Sequence, residues 1–145
     1  MSKRIRPVAI CVIRYNNKIL VFEGEDPVKG ETFYRPLGGS VEFGEYSHQA
    51  VAREFLEEIN AEITDIKLLD TLENIFNYRG EQLHEIIFVY EGKLADNSIY
   101  EKESFTGYED DGSSFKTLWM PLDYFVNKKA PLYPTGLLEL LLKTV

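Results

Sequence analysis

One predicted amphipathic helix, flanked on both sides by predicted strands, limits the folds that this sequence can adopt. Over Ser47–Ile59 the apolar residues recur at helical spacing, as Val51, Ala52, Phe55, Leu56 and Ile59. Ser47 is the predicted N-cap, and Asn60 is suited to the left-handed conformation that ends many helices. Because such a helix must bury its apolar face against another layer, the sequence predicts an α/β domain with a mixed sheet.

The remaining predicted elements are mainly strands. Apolar and β-branched runs between turn residues predict strands at Val8–Arg14, Lys18–Phe22, Thr32–Arg35, Glu62–Ile75, Leu83–Leu94 and Phe115–Met120. Turns are expected at Asn16-Asn17 and at Tyr78-Arg79-Gly80, with polar loops at Gly24–Gly30 and Asn97–Ser114. Short helices are predicted from Pro121 toward Phe125 and over Leu137–Lys143. A loop as long as Asn97–Ser114 is more often functional than idle in a compact domain.

Length and charge narrow the possible partners. The 145 residues fit one domain, 1–145, and 24 acidic against 16 basic residues give a net charge of −8. This balance argues against a nucleic-acid polymer or an anionic membrane as the main partner. No segment approaches the roughly 20 apolar residues of a membrane span, and no signal-peptide pattern is found, so we expect a soluble cytoplasmic protein. The single cysteine, Cys11, lies in an apolar run and is predicted to be a buried structural thiol.

The central helix concentrates its acidic residues against local preference. Glu54, Glu57 and Glu58 cover one narrow sector, opposite the apolar face. Like charges three and four residues apart destabilise a helix, and the last turns favour cations over anions. A solvated acidic face is one interpretation. A bound divalent cation would remove both penalties, and carboxylate oxygens without nearby Cys or His favour Mg²⁺ or Mn²⁺.

The residues around these acids extend the pattern. Gly39 is followed after five residues by Glu45, and after seven more by the run Arg53 to Ala61, which contains Arg-Glu and Glu-Glu pairs. This spacing resembles the signature of the Nudix hydrolases, with every charged position matched. Three positions depart from it: Phe55 for an aliphatic residue, Asn60 for the second glycine, and the small Ala61. Asn enters the left-handed region more easily than other non-glycine residues, so the change at position 60 is tolerable.

The resemblance implies both a fold and an activity. It implies a single Nudix hydrolase domain over 1–145, an α/β/α sandwich around a central mixed β-sheet. It also implies hydrolysis of a pyrophosphate bond in a nucleoside diphosphate linked to another moiety, with Mg²⁺ or Mn²⁺ as cofactor. By position in the signature, the metal ligands would be Glu54, Glu57, Glu58 and the Gly38 carbonyl. Arg53 and Glu45 would orient the helix and its acids at the catalytic centre.

A general base in this family often comes from a glutamate in a distant loop. The candidates in the long loop are Glu101, Glu103, Glu109, Asp110 and Asp111. We favour Glu109, because Gly107 and Gly112 flank it and give the backbone freedom. The alternative for any of these acids is simple solvation.

Candidate substrate-binding residues lie on both sides of the signature. Arg35 precedes the glycine bend at Gly38-Gly39 and could offer a fork of donors to a phosphate, although a surface ion pair is an equal alternative. Tyr34, Phe76 and Tyr78 are candidates to stack on a base, against a role in the core or at its rim. His84 is expected to be structural and Trp119 to lie in the core.

The sequence leaves the substrate and the assembly open. Dinucleoside polyphosphates, nucleoside triphosphates and nucleotide sugars all remain candidates as the small-molecule partner. A Nudix-like module that binds a nucleotide without turnover is the alternative function, although the intact glutamates argue against it. The apolar run Leu137–Leu142 is compatible with a homodimer interface or with a docked terminal helix.

Overall fold

The computed structural model describes residues 3–144, so Met1, Ser2 and Val145 of the predicted domain 1–145 lie outside the described residues. The strands are β1 (Ile5–Tyr15), β2 (Lys18–Asp26), β3 (Glu31–Arg35), β4 (Gly38–Ser40), β5 (Ile63–Tyr78), β6 (Glu81–Leu94), β7 (Ser104–Tyr108) and β8 (Ser114–Pro121). The helices are α1 (Ser47–Ile59), α2 (Leu122–Val126) and α3 (Leu137–Lys143), with a 3-10 helix at Asn97–Glu101.

The strands form one mixed sheet in the order β5-β6-β1-β2-β8-β7. β1 runs parallel to β6 from Ile5 to Ile13 and antiparallel to the short β4, and its last residues pair with the start of β2. β3 is a further antiparallel neighbour of β2. Because β4 hydrogen-bonds to the middle of β1, the glycine bend before α1 is held against the centre of the sheet.

Helices cover both faces of this sheet, which confirms the predicted α/β/α sandwich. Alternate residues of β1 point to opposite sides. Ala9, Cys11 and Ile13 pack under α1 in one core, and Val8, Ile10 and Val12 pack toward α2 and α3 in the other. Every one of these positions is buried, as expected for a strand enclosed on both faces.

Two predicted loops contain regular structure instead. Asn97–Ser114 is not one long loop, since it holds the 3-10 helix and β7, which pairs with β8 as an antiparallel hairpin. The predicted loop Gly24–Gly30 is also shorter, because β2 continues to Asp26 and β3 begins at Glu31. In β7 the exposed residues Ser104 and Thr106 alternate with Phe105 and Gly107, which face the protein, and at the end of β2 the buried residue is the polar Asp26. Backbone pairing therefore extends further than the apolar pattern indicates.

The ends of α1 differ in how well the sequence predicted them. Tyr46, and not Ser47, is the N-cap, and its backbone N–H donates to Gln49 Oε1 at 2.8 Å. The Ser47 hydroxyl instead pairs with the Tyr90 hydroxyl. Asn60 does adopt the left-handed conformation, with φ 52° and ψ 40°, which confirms its role at the helix end.

Three smaller predictions can be compared with the structure. Cys11 is fully buried, and burial together with the charge of Glu91 raises the pKa of its thiol to about 12. Helix α3 docks on the second core through Leu137 and Leu141. Within residues 3–144, none of the helices has the length and apolar character needed to cross a membrane.

Candidate active site

Arg53 forms ion pairs with glutamates in and before α1. Its guanidinium binds both carboxylate oxygens of Glu45, at 2.7 and 3.1 Å, and donates to the Ser40 carbonyl at 3.1 Å. The same side chain donates to Glu54 at 2.9 Å and lies 3.3 Å from Glu57. These bonds raise the pKa of Arg53 and lower that of Glu45. Arg53 thus joins β4, the loop before α1 and the acidic face of the helix.

Two glycines allow the helix to approach the sheet at this point. A Cβ on Gly39 would lie 2.6 Å from the Glu54 carboxyl carbon, and one on Gly38 would lie 2.0 Å from the Ala9 carbonyl oxygen. Gly38 therefore requires glycine, because the contact is with backbone and its φ is 152°, whereas a side chain at position 39 would displace the Glu54 carboxylate. The Glu54 carboxylate consequently rests directly on the glycine bend, with only 13% of its side chain exposed.

Glu58 is the most perturbed acid of the segment. Its relative exposure is 6%, and its Oε1 has no hydrogen-bond partner among residues 3–144. Burial raises its pKa to about 9, with further contributions from the charges of Glu54, Glu109 and Asp110, against a backbone hydrogen bond from Gly38. Burial likewise raises the pKa of Glu54 despite its bond to Arg53. The chain therefore holds buried carboxylates near one another with less positive charge than they require.

Glu57 differs from its two neighbours because it points outward. Its side chain is 42% exposed and contacts Arg53 at the long distances of 3.3 and 3.4 Å. Within the described part of the chain, no three His, Cys, Asp or Glu side chains are grouped closely enough to hold a metal ion as they stand. Weak, exposed contacts of this kind leave Glu57 free to rotate.

The β7–β8 hairpin brings Glu109 to the acidic helix. Glu109 and Asp110 follow β7, and both are close enough to raise the pKa of Glu58. Burial, and then the charges of Asp111 and Asp110, raise the pKa of Glu109 itself. Of the other predicted candidates, Asp111 caps its own turn through Ser113, while Glu101 and Glu103 line a separate groove beside Trp119.

A cavity of about 570 Å³ lies beside these residues, and Glu109 forms part of its wall. Three of the four predicted substrate-binding residues line it, namely Arg35, Phe76 and Tyr78. Arg35 reaches it from β3, and the two aromatic residues reach it from the end of β5. Glu109 therefore lies in the wall of a cavity with aromatic residues and is also close enough to Glu58 to raise its pKa.

Tyr34 does not line the cavity, so its prediction as a substrate-binding residue is corrected. It is 7% exposed, packs against Phe125 in the second core, and donates its hydroxyl hydrogen bond to Glu23 at 2.9 Å. Successive side chains of a strand point to opposite faces, so Phe33 and Arg35 face the cavity and Tyr34 faces away. Phe33 was missed, although the period of two along Thr32–Arg35 was enough to place it beside Arg35.

Other cavity residues had no signal in the sequence. Arg6, Glu85 and Tyr133 come from three distant segments and meet only in the folded chain. Trp119 lies in the first core as predicted. His84 lies 3.8 Å from Glu73 and does not line the cavity.

Comparison with known proteins agrees with this architecture. Residues 4–140 match the family model described as the NUDIX domain. Among solved structures, a NUDIX hydrolase from Nitrosomonas europaea superposes with a TM-score of 0.68 at 19% identity, covering 95% of this chain and 86% of that one. A MutT NUDIX hydrolase from Burkholderia pseudomallei gives 0.61 at 22% identity, covering 83% and 86%. An ADP compounds hydrolase gives 0.61 at 14% identity, covering 84% and 62%. At these identities the structural likeness establishes the fold.

Proposed function

This chain belongs to the Nudix family and is a pyrophosphohydrolase of the Nudix type, and we propose that it uses Mg²⁺ or Mn²⁺ to cleave a nucleoside diphosphate linked to another moiety. The linked moiety would be a further phosphate, a second nucleotide or a sugar. Members of the family generally use divalent cations. The specific metal, the substrate class and the roles of individual residues are all part of what we propose.

The observation that carries the proposal is the buried Glu58 carboxylate, which lies beside other acids and whose Oε1 has no hydrogen-bond partner within residues 3–144. Glu54 is nearly buried on the glycine bend, and Glu109 and Asp110 face Glu58 from the β7–β8 hairpin. Arg53 supplies one positive charge to this group and shares it with Glu45. A hard divalent cation is the partner that such a set of oxygen donors fits best.

The residues that would hold the cation are Glu54, Glu57 and Glu58, with the Gly38 carbonyl as a backbone ligand. Glu57 is exposed and weakly held, so it can turn toward a metal without breaking a buried contact. Bound there, the metal would neutralise the substrate phosphates and lower the pKa of an attacking water. It would also let a chain with a net charge of −8 accept an anionic substrate.

The chain's own residues divide the remaining work. Arg53 fixes the orientation of Glu54 and of the loop that carries Glu45. Glu109, which is exposed in the cavity wall and has a raised pKa, would accept a proton from water at the edge of the cavity. Arg35 would contact a phosphate, while Phe76 and Tyr78 would contact the base or the linked group.

Product analysis with a panel of nucleotides tests this function. Nucleoside triphosphates, dinucleoside polyphosphates, ADP-ribose and nucleotide sugars are incubated with Mg²⁺ and then with Mn²⁺, and the products are separated by chromatography. We expect metal-dependent cleavage of one class well above the others, abolished by EDTA. Binding of a nucleotide without cleavage under any metal condition would favour the alternative, a nucleotide-binding module.

A further inference from the structure

One carboxylate in the cavity wall, that of Glu85, forms ion pairs with two arginines. Glu85, on β6, is buried, with 4% relative exposure. Arg35 on β3 donates from Nη2 to Glu85 Oε1 at 3.1 Å, and Arg6 on β1 places Nη1 at 3.8 Å from Glu85 Oε2. All three side chains line the same cavity. One arginine suffices to neutralise Glu85, so these three side chains taken together carry one positive charge, in a chain of net charge −8.

The cavity is also lined by Lys29 and by three further acids, Asp26, Glu31 and Glu109. Among residues 3–144, none of these three acids forms an ion pair with Arg6 or Arg35. Asp26 accepts hydrogen bonds from the backbone N–H groups of Val28 and Arg79, and Glu31 accepts one from the Tyr133 hydroxyl at 2.7 Å. Glu109 faces Glu58 and the acidic helix. Glu85 is therefore the only carboxylate within 4.0 Å of a guanidinium nitrogen of Arg6 or Arg35 in the described part of the chain.

Both arginines keep donors available for a ligand. Within residues 3–144, the only side-chain nitrogen of Arg35 that makes a hydrogen bond is Nη2, although a guanidinium carries five N–H donors. Arg6 donates from Nη2 to the Ser40 hydroxyl at 3.3 Å, which ties it to β4. The Ser40 carbonyl in turn accepts a bond from Arg53. Arg6 is thus fixed between the cavity and the segment that orients the acidic helix.

We propose that Arg6 and Arg35, held by Glu85, form a seat for a phosphate group of the substrate other than the group attacked beside the acidic helix. Guanidinium groups fixed by a buried carboxylate lose little side-chain freedom when they bind an oxyanion, and their planar forks match its geometry. Glu85 is the positioning residue of the pair. The assignment of the ligand to a nucleotide substrate rests on the proposed function, but binding of the anion itself does not.

Binding of inorganic pyrophosphate in EDTA isolates this seat. Without metal the acidic helix repels an anion, so binding must come from the chain's own cations. Isothermal titration calorimetry at about 0.15 M salt keeps distant charges screened. We expect the wild-type chain to bind pyrophosphate, and Arg6→Gln or Arg35→Gln to weaken binding at least about tenfold, the loss typical of a charge-assisted hydrogen bond. Arg4→Gln is the matched control, because Arg4 is exposed two residues away, and it should bind as the wild type does.

A double variant separates a seat for phosphate from a structural ion pair. The double variant Arg6→Gln/Glu85→Gln removes one positive and one negative charge. Its net charge therefore equals that of the wild type, and Arg35 is left without a carboxylate to neutralise. If Arg6 only neutralises Glu85, the double variant regains wild-type affinity, which would overturn the proposal. If Arg6 contacts the anion, affinity stays low while the melting temperature recovers. Arg6→Lys keeps the positive charge but loses the planar guanidinium. If Arg6 contacts the anion, we expect this variant to bind with intermediate affinity, and it tests the seat if the other variants fold poorly.

The outcomes are distinguishable from failure of the proposed function. Equal binding of pyrophosphate by wild type, Arg6→Gln and Arg35→Gln, or no binding by the wild type, overturns the seat whatever the enzyme cleaves. Absence of cleavage across the nucleotide panel overturns the proposed function, while the loss of pyrophosphate affinity in the arginine variants would still establish the seat.

Discussion

Three glutamates within five residues of one helix occupy three different environments. Glu54 lies on the glycine bend with Arg53, Glu58 is buried without a partner at Oε1, and Glu57 is nearly half exposed. The sequence predicted that they share a face, since that follows from helical geometry alone. Their degrees of burial depend on contacts with the sheet and with the β7–β8 hairpin. A local sequence pattern does not predict such contacts.

The buried position of Glu58 makes its carboxylate a cost to folding when no metal is bound. Its folded-state pKa, about 9, lies above the unfolded value of 4.5, so its contribution to stability is complete below pH 4.5 and is lost progressively as the pH rises toward 9. Glu58→Gln removes this dependence. In EDTA we expect the variant to melt at a higher temperature than the wild type at pH 8 and at a similar temperature at pH 4.

Thermal melts of Glu62→Gln provide the matched control, because Glu62 is exposed just beyond the same helix. This control should follow the wild type at both pH values. A lower melting temperature for Glu58→Gln than for the wild type at pH 8 would contradict the account, since it would mean that the Glu58 carboxylate stabilises the metal-free fold.

Cys11 offers a second test at the scale of one residue. The thiol is fully buried between the sheet and α1, and its pKa is raised to about 12. A thiolate is required for attack on a disulfide reagent, so the folded protein should react very slowly at pH 8. Unfolding in guanidinium should release one reactive thiol per chain, measured by absorbance. Fast reaction without denaturant would show that β1 is not enclosed as described.

At the level of elements, two hairpin turns are joined by one carboxylate. Asp26, at the end of β2, accepts from Val28 N at 3.0 Å in its own turn and from Arg79 N at 3.1 Å in the β5–β6 turn. Burial opposes ionisation of Asp26, but the hydrogen bonds from Arg79, Lys29 and Val28 outweigh it and lower the pKa. Both turns border the cavity through Lys29 and Tyr78.

Asp26→Asn should therefore destabilise the protein in a pH-dependent way. Because the folded pKa is lowered, the carboxylate stabilises the fold above its unfolded pKa, and this contribution is lost as the pH falls through the folded pKa. The melting temperature of the variant should fall below that of the wild type at pH 7, with a smaller difference at pH 3. Asp96→Asn is the control, since Asp96 caps only its own 3-10 helix through Ser98. An equal loss in both variants at pH 7 would remove the special role given to Asp26.

Most elements followed from the sequence, and the exceptions have a physical cause. Enclosed strands such as β1 are continuous apolar runs, and α1 repeats its apolar residues at helical spacing, so both were predicted. β7 is polar and contains Gly107, and it forms because β8 offers a pairing edge. The same limit applies to the site, where Glu109 was predicted but Arg6, Glu85 and Tyr133 meet only through the topology of the sheet.

For the molecule as a whole, charge links folding to metal binding. A ligand that binds only the folded state stabilises it, and a divalent cation would also relieve the repulsion among Glu54, Glu58 and Glu109. Mg²⁺ should raise the melting temperature of the wild type above its value in EDTA. The increase should disappear in Glu54→Gln/Glu58→Gln, measured by scanning calorimetry at pH 8. A similar increase in that double variant would place metal binding elsewhere on the acidic surface.

The proposed role of the acidic face of α1 in turnover is best tested at Glu57, because Glu57 is the most exposed of its three glutamates. An exposed pair such as Arg53–Glu57 is worth about 0.3–0.5 kcal/mol, so Glu57→Gln should move the melting temperature in EDTA by no more than roughly 2 °C. The measurement is kcat at saturating Mg²⁺ on the best substrate of the panel, for Glu57→Gln beside the wild type and Glu62→Gln. We expect kcat to fall at least about a hundredfold in Glu57→Gln alone, since even the loss of an outer-shell partner of a metal ligand costs 10- to 100-fold. Wild-type kcat in Glu57→Gln would contradict the proposed role.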